Sequence, residues 1–209
     1  MKKNLTLLLL CLILFSSGLP ARAAKDYDHP MSRDEQRDQR RVQQNDNPSP
    51  KAPAELARWA FLIGARSGEA KLKLDDGTWQ TLRVTWEGHY ILDGYAIEDE
   101  YRMTTAAGEL LVLGMNFRAY DAQKKSWNMK WLNGLTGTWT ELGDPNLGGV
   151  HLDEKSIWYI LKESMAHHAW TRATYTNISA DHFTWRGERS NDGKTWEEFL
   201  IVDVQRAKN

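Results

Sequence analysis

Hydrophobic and polar residues alternate along most of the chain after residue 65. In residues 80–88, Leu82, Val84 and Trp86 share one face, and polar side chains occupy the other. This alternation is typical of an antiparallel strand with one buried face. Turns containing Gly and Asp, such as Asp93-Gly94, separate this segment from others with a similar pattern. Those segments are 66–74, 95–103, 109–120, 126–133, 136–142, 157–163, 169–177, 183–190 and 196–206.

Regular hairpin spacing over about nine or ten strands predicts an all-β fold. Both sandwiches and barrels have this spacing. The succession of hairpins favours an antiparallel up-and-down β-barrel, in which closure removes free strand edges. A short N-terminal helix is predicted at residues 53–63, where it would close one end of the barrel. Its apolar stripe comprises Leu56, Trp59, Ala60 and Ile63. We assign residues 53–209 to the barrel domain.

The first 23 residues have the pattern of a secretory signal peptide. Two lysines precede an apolar run, which ends before a small-residue Ala-x-Ala site at residues 21–23. An uncleaved anchor is the alternative. Cys11, the only cysteine, lies inside the apolar run, so the mature chain would have no disulfide and no Cys-based metal site. The pattern predicts export, to the periplasm if the source is bacterial.

Residues 24–52 are predicted to form a disordered linker, because they are charged or amide-rich and then proline-rich, with no apolar stripe to dock. A solvated spacer and a partner-binding arm both remain open. Removal of residues 1–23 leaves 24 basic residues against 28 acidic ones, a net charge of −4. That charge argues against nucleic acid as a partner. No later apolar segment approaches the length of a membrane span. Oligomeric state is not indicated.

Tryptophan is abundant, with ten residues between positions 59 and 196. Trp127, Met129 and Trp131 alternate along one predicted strand, so they share a face. An aromatic-rich interior is compatible with plain core packing and with a lined cavity, since barrels of eight or more strands can hold one small ligand.

Several segments together resemble the bacterial domain-of-unknown-function family 1579. They are FLIG at 61–64, ILDGYAIEDEYR at 91–102, FRAYDAQKKSWNMKW at 117–131, TGTW at 136–139 and FTWRGERSNDGKTWEE at 183–198. The resemblance covers about residues 56–206. It implies a calycin-type barrel, similar to lipocalins and fatty-acid-binding proteins. The function of that family is not established, so the resemblance informs the fold more than an activity.

One departure from the family pattern concerns the base of the barrel. Members usually have Gly-x-Trp after the N-terminal helix, with the Trp stacked under an Arg of the last strand. The matching residues here are Gly64-Ala65-Arg66, and Arg206 stands in the last strand. Two cations at the base would repel unless Glu69, Asp203 or another acid joins them. Trp59 is a candidate for the missing ring.

Asp99 is the charge that fits its strand least well. The alternation places it on the apolar face with Ile97, Tyr101 and Met103. A carboxylate there must be paired, hydrogen-bonded or protonated. It could be an interior polar anchor or a general base. It could equally hold a structural hydrogen bond to Tyr101, a Trp N–H or an interior Arg.

Interior arginines would indicate an anionic ligand, because a guanidinium pairs with carboxylate in a bidentate way. Candidates are Arg118, Arg172 and Arg189, and each could instead be a surface residue. Histidines show no metal-ligand spacing, and a haem ligand at His89 or His168 has little support. No nucleophile motif or phosphate loop is present. We predict no metal and no cofactor.

The sequence favours a barrel that binds a small lipophilic or amphipathic molecule. The candidate ligand-binding residues are Asp99, Tyr101, Trp127, Trp131 and Arg189. One alternative is a barrel lyase, isomerase or hydrolase in which Asp99 acts with a His or Tyr. The other is a scaffold or interaction domain whose packed interior binds nothing. Whether the protein is an enzyme stays open, and no catalytic residue is assigned.

Overall fold

The computed structural model describes residues 47–162 and 170–207. Eleven strands form one antiparallel sheet. Their bounds are β1 Gly64–Lys73, β2 Trp79–Ile91, β3 Ala96–Thr104, β4 Leu110–Asp121, β5 Ser126–Asn133, β6 Thr138–Leu142, β7 Val150–Leu152, β8 Ile157–Lys162, β9 Trp170–Thr176, β10 His182–Ser190 and β11 Glu197–Arg206. The signal-peptide prediction, most of the linker prediction and both His167 and His168 lie outside the described residues.

The sheet is an up-and-down meander in which consecutive strands are neighbours from β1 to β6 and from β7 to β11, and β1 also pairs with β11. It curls into a half-barrel, which confirms the all-β, antiparallel prediction. Within the described residues, β6 and β7 are the edge strands, and no ladder joins them. Three-residue β7 is the strand that the pattern did not resolve, because Val150–Leu152 is too short to show an alternation.

The N-terminal helix is present, and it is a 3₁₀ helix at Ala54–Leu62. Its buried residues are Leu56, Trp59, Phe61 and Leu62. The predicted stripe was therefore wrong at Ala60, which is exposed, whereas Ile63, just after the helix, is half-buried and packs against the core. Leu56, Trp59 and Leu62 recur at a spacing of three, which is the repeat of a 3₁₀ helix. This spacing aligns the three side chains on the face that packs into the end of the half-barrel.

Arg66 and Arg206 meet at this end of the sheet, directly opposite each other on β1 and β11. Both donate hydrogen bonds to the carbonyl oxygens of Ile63 and Ala180, at 2.9–3.1 Å. Arg206 also pairs with Asp181 at 3.2 Å. The sequence predicted that an acid joins the two arginines, and this acid is Asp181 and not Glu69 or Asp203.

The aromatic partner of this arginine pair is Phe183. The guanidinium of Arg66 lies 5.7 Å from the centre of the Phe183 ring. Trp59, the ring proposed from the sequence, instead lies under Arg118. Burial, followed by repulsion from Arg206, lowers the pKa of Arg66 to about 10, and attraction to Asp181 opposes that change. Arg66 therefore remains charged at neutral pH, and backbone carbonyls are its main partners.

The Asp93-Gly94 turn joins β2 to β3, as the sequence predicts. Leu92, Asp93 and Gly94 all have positive φ, at 53°, 55° and 86°. A side chain on Gly94 would also collide with the backbone at Ser49, whose N–H bonds to the Gly94 carbonyl at 3.1 Å. The turn thus holds the chain that leads into the N-terminal helix. No helix in the described part of the chain is long and apolar enough to cross a bilayer.

Candidate functional site

A cavity of about 600 Å³ lies inside the half-barrel, next to the unpaired side of β6 and to β8. This volume falls within the range of small-molecule sites. Its lining is mainly aromatic and aliphatic. The residues are Trp86, Tyr101, Val112, Asn116, Trp131, Asn133, Thr138, Trp139, Thr140, Leu142, Tyr159, Leu161, Lys162, Ala173, Tyr175, Trp185, Arg189, Phe199 and Leu200.

One wall of the cavity consists of side chains in register across four strands. Asp99 of β3 lies opposite Asn116 of β4, which lies opposite Trp131 of β5, which lies opposite Thr140 of β6. All four belong to the inward face, because in-register residues of neighbouring strands point to the same side of a sheet. Asn116, Trp131 and Thr140 line the cavity, whereas Asp99 does not.

Asp99 is not part of the cavity lining, and both of its carboxylate oxygens contact protein groups. Its Oδ1 accepts from Trp86 Nε1 at 2.7 Å and from Asn116 Nδ2 at 2.8 Å. Its Oδ2 forms a direct ion pair with Arg118 Nη1. Both side chains of the ion pair are 0% exposed. These contacts match the structural explanation for Asp99, with a Trp N–H and an interior Arg as its partners.

Arg118 connects this carboxylate to the opposite wall of the half-barrel. It donates to the hydroxyl of Tyr175 at 3.1 Å, and that hydroxyl is hydrogen-bonded to Tyr159. Its guanidinium also lies 4.6 Å from the Trp59 ring of the N-terminal helix. Burial raises the pKa of both Tyr159 and Tyr175, so these cavity-lining phenols are neutral hydrogen-bonding groups.

A β-bulge shapes the far wall of the cavity. Gly187 pairs with Leu200 and Glu188 pairs with Glu198, which leaves Phe199 as the extra residue of β11. Because of this extra residue, Phe199 and Leu200 both line the cavity although they are adjacent in sequence. Simple alternation would send them to opposite faces, and this is why sequence reasoning missed Phe199.

Two glycines make room for the aromatic walls. A Cβ atom on Gly114 would collide with the ring of Trp131 and with the carbonyl oxygen of Leu132. One on Gly187 would lie 2.7 Å from the Phe199 ring and 2.8 Å from Trp185. Both glycines therefore leave space that the neighbouring aromatic rings occupy.

Arg189 projects from β10 onto this wall. Its guanidinium lies 3.9 Å from the centre of the Phe199 ring, in a cation–π contact. Its Nε is buried and has no hydrogen-bond partner among the described residues. Its backbone is in register with Thr171 of β9, which in turn is opposite Leu161 of β8.

The five candidate residues therefore occupy three different environments. Tyr101, Trp131 and Arg189 line the cavity. Asp99 is buried and does not line it. Trp127 packs on the N-terminal helix, with ring centres 6.0 Å from Trp59 and 5.2 Å from Tyr120, and is not part of the lining.

The remaining charged candidates lie away from the cavity. Arg172 forms a bidentate pair with Glu188 and stacks on Trp196. His89 neighbours Glu87, with the two side chains 3.5 Å apart. His151 stacks on Trp158. The described residues contain no group of three or more acidic, His or Cys side chains that could hold a metal ion.

The half-barrel with an aromatic-lined interior defines a class of fold, and this fold was compared with those of known proteins. No family model matches the chain, and no curated protein matches it significantly. Among solved structures, the chain is similar to the crystal structure of Rv2717c from M. tuberculosis, with a TM-score of 0.53 and 9% identity. The match covers 76% of this chain and 100% of that one. At this identity the similarity concerns the fold alone.

Proposed function

We propose that this protein binds a small lipophilic or amphipathic molecule inside its half-barrel. The observation that carries the proposal is the cavity of about 600 Å³ between Trp131 on one wall and Trp185 and Phe199 on the other. Interiors of proteins are normally packed to a density that leaves few voids larger than a water molecule. The walls of this space are mainly apolar, so a lipophilic molecule that enters it would remove apolar surface from contact with water.

The alternatives differ from this proposal in what they require of the interior. The scaffold hypothesis requires an interior that is filled by its own side chains, and the cavity argues against it. The enzyme hypothesis requires a free Asp99, whose two oxygens already interact with Trp86, Asn116 and Arg118. A ligand-binding role requires only a cavity with polar groups at a few fixed points, such as Asn116 and the Tyr159 hydroxyl.

The experiment is a titration with N-phenyl-1-naphthylamine, a neutral fluorescent apolar probe, against the mature chain. We expect saturable binding at one site, with energy transfer from tryptophan. Thr140→Phe places a ring into the cavity, so it should weaken binding by at least about tenfold, which corresponds to about 1.4 kcal/mol. Native mass spectrometry of protein from its own host should reveal a bound small molecule.

The matched control is Glu141→Phe, which adds the same side chain to the next residue of β6. Glu141 is exposed and lies near Lys130, with charged atoms 3.4 Å apart. This variant should bind the probe like the unmodified protein. Absence of saturable binding, or equal binding by the two phenylalanine variants, would refute the proposal.

We also propose that the protein is exported and that it is a member of the domain-of-unknown-function family 1579. Support for export comes from the apolar run and small-residue site in residues 1–23, and support for membership comes from the segments quoted above. Export is tested by cell fractionation and by the mass of the mature chain, which should begin at residue 24. Full-length protein in the cytosol would contradict it.

A further inference from the structure

We propose that the ligand carries an anionic group and that Arg189 binds this group inside the cavity. The inference rests on the proposed ligand-binding function and specifies the chemical class of the ligand. It follows from three observations: the partners of the other arginines, the charges of the cavity lining, and the way in which Arg189 is held.

Every other buried or half-buried arginine among the described residues has a protein partner. Arg118 pairs with Asp99, Arg102 with Glu100, and Arg66 with backbone carbonyls. The remaining two are on the sheet surface, where Arg172 pairs with Glu188 and Arg186 pairs with Glu198. Arg189 has neither an ion pair nor a hydrogen bond in this part of the chain, and its Nε is buried without a partner.

The cavity lining has two charged residues, Arg189 and Lys162, and both are cationic. Acidic side chains are absent from the described lining, although acids outnumber bases in the chain as a whole. Glu197 lies directly opposite Arg189 in the β10–β11 register, and its carboxylate pairs with Lys73 at 2.6 Å. Positive charge without a protein counter-ion favours an anion at the same place.

Arg189 is held in a way that suits recognition of a planar anion. Phe199 is turned inward by the β-bulge and supports one face of the guanidinium at 3.9 Å. The Nε of Arg189 is enclosed, but its two Nη groups are not among the buried atoms and bond to no described residue. Two adjacent N–H groups of this kind match the two oxygens of a carboxylate or of a similar oxyanion. The aromatic rings of Trp185, Phe199 and Trp131 would then contact the apolar body of the ligand.

A pair of probes tests this inference. Anilinonaphthalene sulfonate and N-phenyl-1-naphthylamine share one aromatic skeleton and differ by a sulfonate. We expect the mature protein to bind the anionic probe more tightly than the neutral probe. Arg189→Met keeps the apolar stem and removes the charge, so it should weaken binding of the anionic probe by at least about tenfold, the value of one charge-assisted hydrogen bond. Binding of the neutral probe should change less than about twofold.

Two further variants make the result specific. Arg189→Lys keeps the charge but loses the planar guanidinium that can donate two parallel hydrogen bonds. Its affinity for the anionic probe should therefore lie between those of the unmodified protein and Arg189→Met. Arg186→Gln removes a cation from the same strand, but that cation already pairs with Glu198. This variant should therefore change the affinity for neither probe. Thermal unfolding and circular dichroism of each variant establish that it is folded.

Failure of the two proposals gives different results. If neither probe binds at one site, the ligand-binding function itself is wrong. If the neutral probe binds and the anionic probe has no advantage, or if Arg189→Met weakens both probes equally, binding stands and the anionic class is wrong. Preference for the anionic probe that depends on Arg189 and not on Arg186 supports both.

Discussion

Asp99 and Arg118 form the only ion pair in the described residues that is completely closed off from solvent. Removing two charges from water costs free energy. Trp86 and Asn116 donate hydrogen bonds to Asp99, and Arg118 donates one to Tyr175, which offsets that cost. The pair links strands β3 and β4 to β9 through the Tyr175 hydroxyl. It therefore connects both walls of the half-barrel at the level between the N-terminal helix and the cavity.

We expect Asp99→Asn to destabilise the fold by about 3–5 kcal/mol, because it leaves the buried Arg118 charge without a counter-ion. Arg118→Met should destabilise the fold by a similar amount, because it leaves the buried Asp99 carboxylate without its counter-ion. The double variant should cost less than the sum of the two, and urea unfolding of all four proteins measures that coupling. If Asp99→Asn unfolds like the unmodified protein and loses a catalytic activity, Asp99 is a catalytic group and not a structural one.

The sequence predicted the face on which Asp99 lies and the types of its partners, because strand alternation is a local rule. It could not predict which residues border the cavity. Trp127 and Trp131 share a face of β5, yet Trp127 contacts Trp59 of the N-terminal helix while Trp131 faces open space. That difference depends on what stands across the half-barrel, which no spacing along one strand encodes.

Strand β4 shows how an element shapes the site. Its inward positions alternate between Val112, Gly114, Asn116 and Arg118, so a residue without a side chain separates two cavity residues. Trp131 of β5 fills the space above Gly114. The glycine thus determines where the ring of its neighbour lies and, through the ring, the shape of the cavity.

Gly114→Ala should force the Trp131 ring into the cavity, since the new methyl group occupies the position of the ring. We expect probe binding to weaken by at least about tenfold and stability to fall by about 1–3 kcal/mol, the usual cost of overpacking. Gly134→Ala is the control, because its methyl group would lie 3.2 Å or more from its neighbours. Fluorescence titration and urea unfolding measure the two effects, and unchanged binding would show that Trp131 does not border the ligand.

At the scale of the whole molecule, the order of strands was predictable because each hairpin is encoded by its own turn. The separation of β6 from β7 was not predictable in this way. Between Leu142 and Val150 the chain forms a loop with a short 3₁₀ turn at Pro145–Leu147 and positive φ at Gly143, Gly148 and Gly149. This loop replaces a tight hairpin turn, so the sheet has two edges there and the cavity lies beside them.

Aspartates at four hairpin turns make the stability of the fold depend on pH. Asp76 lies between β1 and β2, Asp153 between β7 and β8, and Asp192 between β10 and β11, and Asp121 is the last residue of β4, before the turn to β5. Each accepts hydrogen bonds from the next residues of its turn, and these bonds lower the pKa of each carboxyl. For Asp192, backbone N–H groups of Thr195 and Lys194 are the main cause, and they lower its pKa to about 2.

A carboxyl whose pKa is lower in the folded than in the unfolded chain stabilises the fold above the unfolded value of about 4. That contribution is lost as pH falls toward the folded value. The urea midpoint of the protein should therefore decrease between about pH 4 and pH 2. Asp192→Asn keeps a side-chain oxygen for the turn N–H groups and cannot titrate, so its midpoint should decrease less steeply. Asp75→Asn is the control, because Asp75 accepts no hydrogen bond within the described residues. An identical pH slope for Asp192→Asn and the unmodified protein would mean that this turn does not contribute to acid sensitivity.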